Sequence, residues 1–230
     1  MSDPLLWLPL AMAIPVFALL MFGGGDRWLA DLLYHWEGGR WALQNAWLTS
    51  TVLHKGGKWL SVAASVTLLA ICLGQWWRGG ERRLRWTLLY LVVCVAVATG
   101  LISVLKALLP MDCPWDLLRY GGSRGFIGLL QQRPPDWPHT ACFPAGHASA
   151  GYAWLCLYFG ARLWRPRWRI AGLWIGLGSG LLFGVAQQLR GAHFLSHDVA
   201  TAALCWLLAV TLYLPVRCHL DGPRPPQAHA

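Results

Sequence analysis

Residues Trp86–Leu105 read WTLLYLVVCVAVATGLISVL, a stretch without a charged side chain. A helix needs about 20 mostly apolar residues to cross the hydrocarbon core of a bilayer. Further apolar stretches of similar length lie on both sides of this one. The predicted spans are Leu5–Phe22, Trp59–Trp76, Trp86–Leu105, Ala148–Leu163, Ile170–Ala186 and Leu195–Pro215. The sequence therefore predicts an all-α polytopic membrane protein with about six spans in a single domain.

The composition also indicates a chain whose solvent is lipid. Of its 230 residues, 56% are hydrophobic and only 13% are charged, whereas soluble domains carry about 25% charged residues. The 16 Trp suit membrane interfaces, because the indole ring is apolar and its N–H is polar. The net charge of +9 suits a protein beside anionic lipid headgroups. No run of Lys or Arg lies on a soluble segment, which argues against nucleic-acid binding.

Arginine-rich loops set the expected orientation, because short cytoplasmic loops carry an excess of Lys and Arg. Arginines cluster between spans two and three, between spans four and five, and in the tail: Arg78, Arg82, Arg83, Arg85, Arg162, Arg165, Arg167, Arg169, Arg217 and Arg224. We therefore expect both termini in the cytoplasm. The segments Gly23–Lys58, Lys106–His147 and Gln187–Phe194 are then expected on the outer side.

The two ends of the chain differ from the core at residues 58–215. Within residues 1–57, the first span is followed by Gly23–Lys58, in which apolar residues recur at helical spacing: Trp28, Leu29, Leu32, Leu33 and Trp36. This pattern predicts an amphipathic helix on the membrane interface. A helix packed over the other spans fits the pattern equally well. The proline-rich tail Asp221–Ala230 is expected to be disordered.

Polar residues cluster at one membrane depth. Lys106 ends the third span, His147 begins the fourth, and four further residues bracket the start of the sixth: Arg190, His193, His197 and Asp198. By the topology above, all of them emerge on the outer side. Ionisable groups at membrane depth are costly, so these residues are the first candidates for a functional site.

Three short motifs carry these residues. Lys106 is followed after six residues by Cys113-Pro114, Pro144–His147 reads PAGH, and Gln187–Asp198 reads QQLRGAHFLSHD. In order, spacing and span layout the chain resembles the type-2 phosphatidic acid phosphatase superfamily over residues 58–215. That family carries Lys-x6-Arg-Pro, Pro-Ser-Gly-His and Ser-Arg-x5-His-x3-Asp. The resemblance implies a membrane enzyme that removes or transfers a phosphate on a lipid.

The chain departs from the family pattern at several positions. Cys113 and Gln187 stand where the family has Arg, Ala145 stands where it has Ser, and His197 stands where it has Asp. Arg190 follows Gln187 by three residues, so on a helix it faces nearly the same way and is expected to reach the same phosphate. Arg119 or Arg124, in the loop after Cys113, is a candidate to replace the other guanidinium.

The resemblance assigns roles that suit phosphoryl transfer, in which fixed donors hold the charge on the transferring group. Lys106 and Arg190 are expected to neutralise the phosphate oxygens. Ala145 and Gly146 belong to the phosphate-binding turn, where backbone N–H groups at a helix start form an anion site.

By the same resemblance, His193 attacks phosphorus and forms a phosphohistidine, while His147 acts as general acid and then as general base. The nucleophile needs a partner that fixes its tautomer. His197, four residues on, has the family's spacing, and Asp198, five residues on, has the family's chemistry. The sequence leaves both assignments open.

Two cysteines fall in the expected outer segment. Cys113 lies in the first motif and Cys142 lies two residues before Pro144 of the second. If that side of the membrane is a periplasm, it is oxidising and structural disulfides persist there. We therefore predict a Cys113–Cys142 disulfide; two free, partly buried thiols are the alternative.

Other interpretations compete with a lipid phosphatase or phosphotransferase. His193, His197 and Asp198 can suggest a zinc site in a membrane hydrolase or transporter, although Lys106 and Arg190 would repel a metal cation. An inactive lipid-binding relative is the other alternative. The favoured interpretation needs no metal or other cofactor. It takes a phosphorylated lipid as substrate (lipid A, undecaprenyl pyrophosphate, phosphatidylglycerol phosphate or phosphatidic acid) in a bacterial inner membrane, with the active site facing the periplasm.

Overall fold

The computed structural model describes residues 6–222 and is 74% helical, with no strand in that part of the chain. Eight α-helices follow one another: α1 (Leu8–Met21), α2 (Gly25–Trp36), α3 (Gly57–Trp77), α4 (Arg82–Leu108), α5 (Gly146–Tyr152), α6 (Cys156–Trp164), α7 (Arg169–Leu189) and α8 (Leu195–Asp221). A π-helical segment, Trp47–Gly56, runs directly into α3. The predicted all-α architecture is confirmed.

Several helices meet the requirements of a membrane span. By length and composition, four do so within the described residues: Trp47–Trp77, Arg82–Leu108, Pro166–Leu189 and Leu195–Asp221. Helices α1 and α2 are bent by 66° and provide a fifth if they are counted together. The predicted fourth span is a helix interrupted by the 3₁₀ turn Ala153–Leu155. The number of spans thus stands at four or five by this measure, against about six from the sequence.

The arginine-rich loops meet at one end of the bundle. Arg83 forms an ion pair of 2.9 Å with Asp221 and donates to the Leu163 carbonyl at 3.1 Å. The loops before α4 and after α6 therefore lie beside the end of α8. Lys106, Gly146 and His193 belong to the opposite helix ends. This separation agrees with the arrangement expected from the sequence, and the side of the membrane that each end faces stays a prediction.

The core is formed where α4, α6 and α8 pack together. Phe159 is fully buried, and its ring centre lies 4.9 Å from that of Trp206 and 5.2 Å from that of Tyr213. The Tyr90 hydroxyl donates to the Ala209 carbonyl at 2.9 Å, which satisfies a polar group in the interior. Close packing and such interhelical hydrogen bonds are what hold helices together in lipid.

Glycines bring α7 against α5. A Cβ atom on Gly151 would lie 2.3 Å from the backbone nitrogen of Gly180, so no larger residue fits at this crossing. Small residues allow helix backbones to approach closely in a membrane. Further along α7, the Phe183 ring lies 5.2 Å from the His147 ring. The crossing thereby brings the polar end of α7 next to the start of α5.

The predicted amphipathic helix is α2. Its apolar stripe faces outward, with Trp28, Leu32 and Trp36 all exposed, while Asp26 and Ala30 are buried on the opposite face. The helix thus packs on the bundle through its small and acidic residues and presents its large apolar residues to the surroundings. At the other end of the chain, α8 extends to Asp221; residues 223–230 of the predicted disordered tail lie outside the described residues.

Candidate active site

A cavity of about 650 Å³ opens between α3, α4 and the start of α5. One end is polar and is lined by residues from four parts of the chain: His54, Lys58, Lys106, Gly146, His147, Gln187 and His193. The other end runs between α3 and α4 and is mostly apolar, with Val62, Val66, Leu68, Leu69, Val92, Val95 and Ala96. Of the candidate residues, the structure thus brings Lys106, Gly146, His147 and His193 to one cavity.

Lys106 lies against the turn Pro144–His147. A Cβ atom on Gly146 would lie 2.8 Å from Lys106 Cδ and 3.0 Å from its Nζ. Glycine at this position therefore lets the ammonium group sit directly beside the start of α5. The preceding Phe143–Pro144 peptide bond is cis, and Ala145 is fully buried without lining the cavity.

His147 is held by the π-helical segment. Its Nε2 lies 3.1 Å from the Leu53 carbonyl oxygen. A carbonyl can only accept, so Nε2 carries a proton and donates it. In the neutral ring Nδ1 is then the basic nitrogen. This tautomer leaves His147 one position at which it can take up or release a proton.

His193 and His197 contact each other, each through its own Nδ1 atom. Their Nδ1 atoms lie 3.4 Å apart and both rings are buried. Burial lowers the pKa of His193 well below its usual value, and the nearby His197 and Lys106 lower it further, while a hydrogen bond with the Cys142 backbone opposes this. His193 is therefore neutral at neutral pH and keeps a free lone pair. If Nδ1 donates to His197, that lone pair is on Nε2.

The structure separates the two candidate partners of His193. His197 faces His193, and Ala145 donates its backbone N–H to the His197 carbonyl at 3.3 Å, linking the second and third motifs. Asp198 points the other way and accepts a hydrogen bond from Gln188 on α7. A Cβ atom on Gly184 would lie 2.5 Å from the Asp198 carboxylate. His197, at the family's spacing, is thus the residue that contacts His193.

A buried carboxylate from α2 holds the segment between the two histidines. Asp26 accepts a hydrogen bond from the Ser196 backbone N–H at 2.9 Å and another from its hydroxyl. Ser196 lies in the first turn of α8, where N–H groups have no partner within the helix. Asp26 therefore caps α8 beside His197 and ties α2 to the site.

Arg190 lies behind Gln187 rather than in the cavity. Its NH1 donates to Gln187 Oε1 at 3.1 Å and its Nε donates to the Gln44 carbonyl at 2.8 Å. The guanidinium also lies over the Trp115 ring, 5.9 Å from its centre. Gln187 lines the cavity and Arg190 does not. In this arrangement Arg190 is connected to the cavity through Gln187.

The two loop arginines do not reach the cavity either. Arg119 binds Asp31 on α2 through two nitrogens, one at 2.6 Å. Arg124 forms an ion pair of 2.6 Å with Asp112. Each guanidinium thus has a carboxylate partner, and neither arginine lines the cavity.

Asp112 is the centre of that loop. Besides Arg124, it accepts hydrogen bonds from Arg133 at 2.9 Å and from Thr140 at 2.8 Å. Burial acts to raise the pKa of Asp112, but the hydrogen bonds from Arg133, Arg124 and Thr140 outweigh it, so the pKa lies below its ordinary value. The carboxylate therefore stays charged and connects the start of the loop, at Asp112, to Arg124, Arg133 and Thr140.

The first two motifs are joined covalently. Cys113 and Cys142 form a disulfide, with Cα atoms 5.4 Å apart. Beside it, the Cys142 backbone N–H donates to the Met111 carbonyl at 3.2 Å. Both links fix the loop from α4 to α5 close to its two ends, next to Lys106 and Gly146.

His54 and Lys58 belong to the polar end of the cavity, and the motifs did not identify them. Both precede the second predicted span by a few residues, one helical turn apart. Ionisable side chains at membrane depth are candidates in their own right. That signal was present in the sequence, but no motif pointed to it.

The three residues suggested as a zinc site, His193, His197 and Asp198, do not come together around one point. Asp198 faces away from His193 and His197, and Asp198 bonds to Gln188 instead. Across residues 6–222, the one group of three ligand-type side chains close enough for a metal is Cys113, Asp116 and Cys142. Two of its members form the disulfide, so this group does not offer three free ligands.

Part of the region that forms this cavity matches a family model. The family model of the PAP2 superfamily matches residues 87–218, more than half of the chain. The chain belongs to the PAP2 superfamily. No curated protein and no solved structure matches it significantly. The match covers Lys106, His147 and His193 at the polar end of the cavity, whereas His54 and Lys58 at the same end precede it. PAP2 proteins are generally phosphatases.

Proposed function

We propose that this protein is a membrane lipid phosphatase or lipid phosphotransferase that acts through a phosphohistidine on His193. The cavity is the observation that carries the proposal. Its polar end holds Lys106, His147 and His193, and its apolar end runs between α3 and α4. A phosphate head and an aliphatic tail match these two ends. A water-soluble phosphate ester would leave the apolar end unused.

The proposed first step is attack on phosphorus. His193 uses Nε2, because Nδ1 is turned to His197. A bond forms between Nε2 and phosphorus while the bond from phosphorus to the lipid oxygen breaks. His147 enters this step protonated on Nδ1 and gives that proton to the departing oxygen, which leaves the ring neutral, and Lys106 neutralises charge on the phosphoryl oxygens.

The second step restores the enzyme. His147 takes a proton from water, the water oxygen bonds to phosphorus, and the bond from phosphorus to His193 breaks, which releases inorganic phosphate. In a phosphotransferase a second lipid takes the place of water. His197 stabilises the positive charge of the phosphohistidine less than a carboxylate would, because a neutral imidazole offers a dipole and no full charge.

The proposal extends to the compartment and to the class of substrate. The arginine-rich end is assigned to the cytoplasm by the positive-inside tendency, which places the cavity on the outer side. For a bacterial inner membrane, the candidate substrates are lipid A, undecaprenyl pyrophosphate, phosphatidylglycerol phosphate and phosphatidic acid. The apolar groove supports a lipid as such and makes no choice among these headgroups.

The test is phosphate release from this lipid panel by purified protein in detergent with a strong chelator. Wild-type protein should turn over at least one lipid. His193→Ala and His147→Ala should each reduce release by at least about 10³-fold, since each removes a group that forms or breaks a bond. His35→Ala is the matched control, because His35 is exposed on α2. Retained folding is checked by thermal unfolding.

Trapping the intermediate makes the test specific. Rapid quenching with labelled lipid should yield alkali-stable phosphohistidine in wild-type protein and none in His193→Ala. Near wild-type activity in His193→Ala would exclude the assignment. Loss of activity with chelator and recovery with zinc would favour the metal-dependent alternative, and lipid binding without turnover would favour the inactive relative.

A further inference from the structure

His54 is a third histidine at the polar end of the cavity. It comes from the π-helical segment Trp47–Gly56, which lies outside the PAP2 match. Its ring centre lies 4.3 Å from that of His147, and both rings line the cavity together with Lys106. π-Helical segments are rare, and those that occur are frequently found at functional sites.

The hydrogen bonds around His54 determine which ring nitrogen carries its proton. Arg190 has only donors, so it fixes the oxygen of the Gln187 amide towards itself at 3.1 Å. The amide nitrogen of Gln187 then faces His54 Nδ1, also at 3.1 Å, and donates to it. His54 therefore carries its proton on Nε2. Within residues 6–222, the hydrogen bond to Gln187 is the one that His54 makes.

This series of hydrogen bonds connects a partly buried cation, Arg190, to the cavity. Arg190 polarises the Gln187 amide, and the amide polarises the His54 ring, because hydrogen bonds in series strengthen one another. Arg190 itself does not line the cavity, whereas Gln187 and His54 do. As a result, His54 presents an oriented Nε2–H donor at the polar end of the cavity, where Lys106 also lies.

We propose that His54 donates Nε2–H to an oxygen of the phosphoryl group bound between Lys106 and His193. Gln187 and Arg190 are then positioning residues that set the tautomer of His54. The ligand class is a phosphoryl oxyanion, either tetrahedral or at the five-coordinate stage of transfer. This proposal rests on the proposed function, because it takes the cavity as the site of phosphoryl transfer.

Binding of orthovanadate to purified full-length protein tests the donor without depending on turnover. A lost hydrogen bond to a charged ligand corresponds to roughly tenfold or more in affinity. His54→Ala should therefore weaken vanadate binding at least about tenfold, and added imidazole should restore part of it. His35→Ala on exposed α2 should bind like wild type. Unchanged vanadate affinity in His54→Ala would overturn the proposal.

A second pair of variants covers the case in which His54→Ala does not fold. His54→Gln places an amide donor near the position of Nε2, whereas His54→Asn keeps polar atoms only near Nδ1. The proposal requires tighter vanadate binding by His54→Gln than by His54→Asn. Equal affinity, or the reverse order, would show that the ring position and not the Nε2 donor matters.

A compensating change tests the assigned role directly. Gln187 lines the cavity, so Gln187→Arg can present a guanidinium to phosphate without the help of His54. In the Gln187→Arg background, His54→Ala should cost less than threefold in vanadate affinity. A full loss in this background would contradict the shared role. If wild-type protein releases phosphate from no lipid, the proposed function fails, while these affinities still decide the role of His54.

Discussion

Replacing Gly146 by alanine changes the contact between the turn Pro144–His147 and Lys106. The added methyl group would lie 2.8 Å from Lys106 Cδ and 3.0 Å from Nζ. Favourable contacts between such atoms lie at about 3.5–4.0 Å. The lysine side chain must therefore move by about 1 Å, away from the place where the proposed mechanism needs its charge.

The expected effect falls on catalysis and hardly on stability. The atoms that the methyl group meets belong to a flexible side chain, and alanine is favoured over glycine in a helix by up to about 1 kcal/mol. A displacement of about 1 Å in a catalytic group, in contrast, can cost up to about 10²-fold in rate. We expect Gly146→Ala to lower kcat/KM for phosphate release by roughly 10–100-fold and to leave Tm unchanged or slightly raised.

Steady-state phosphate release and thermal unfolding in the same detergent measure both quantities. Gly178→Ala is the control, because a methyl group at that position on α7 meets nothing within 4 Å. The decisive variant is Lys106→Met, in whose background Gly146→Ala should cost little, since the two changes act through one side chain. Activity of Gly146→Ala within twofold of wild type, or an equal loss in both backgrounds, would refute this reasoning.

Two further predictions concern the supports of the site. Asp26→Ala removes both hydrogen bonds to Ser196 and leaves buried donors unpaired, which costs about 1–3 kcal/mol. We expect a lower Tm and reduced phosphate release, with Asp26→Asn intermediate between Asp26→Ala and wild type. Full activity of Asp26→Ala would show that the cap does not position α8. For the Cys113–Cys142 disulfide, thiol labelling of unreduced, denatured protein should modify five cysteines, whereas labelling of all seven would exclude the bond. Reduction of the disulfide should lower the free energy of unfolding by roughly 3–4 kcal/mol.

The sequence predicted the fold class and much of the polar end of the cavity, for physical reasons. Apolar stretches long enough to span a bilayer can hardly be placed elsewhere, so the all-α membrane architecture followed from hydropathy. Lys106, His147 and His193 lie at helix ends at one depth, and the ends of neighbouring spans meet in space. Their convergence on one cavity is therefore a direct consequence of the order and length of the spans.

The arginines were harder to place, because their partners are distant in the sequence. Arg119 pairs with Asp31 across 88 residues, and Arg124 pairs with Asp112 across 12. Arg190 depends on the orientation of the Gln187 amide. Spacing on a helix places a residue on a face, but it does not reveal which carboxylate or amide occupies that face. Charge alone thus does not predict which guanidinium groups line the cavity, and within the described residues these three do not.

The choice between His197 and Asp198 was undecidable from the sequence. The two residues are neighbours on α8, and about 100° of helical rotation separates their directions. Only the packing of α7 determines that Asp198 meets Gln188 while His197 meets His193. His54 was missed for a similar reason, because the π-helical segment that places it carries no motif.

Charge balance connects the cavity to its substrate. The lining residues that the structure describes include Lys58 and Lys106 with three histidines, and no Asp or Glu is among them. The nearby carboxylates have partners elsewhere, since Asp26 binds Ser196 and Asp198 binds Gln188. An unpaired ammonium group near the membrane interior is costly. An anionic headgroup relieves that cost at the polar end, and because most side chains that line the groove between α3 and α4 are apolar, the anion that fits best is one carried on a lipid.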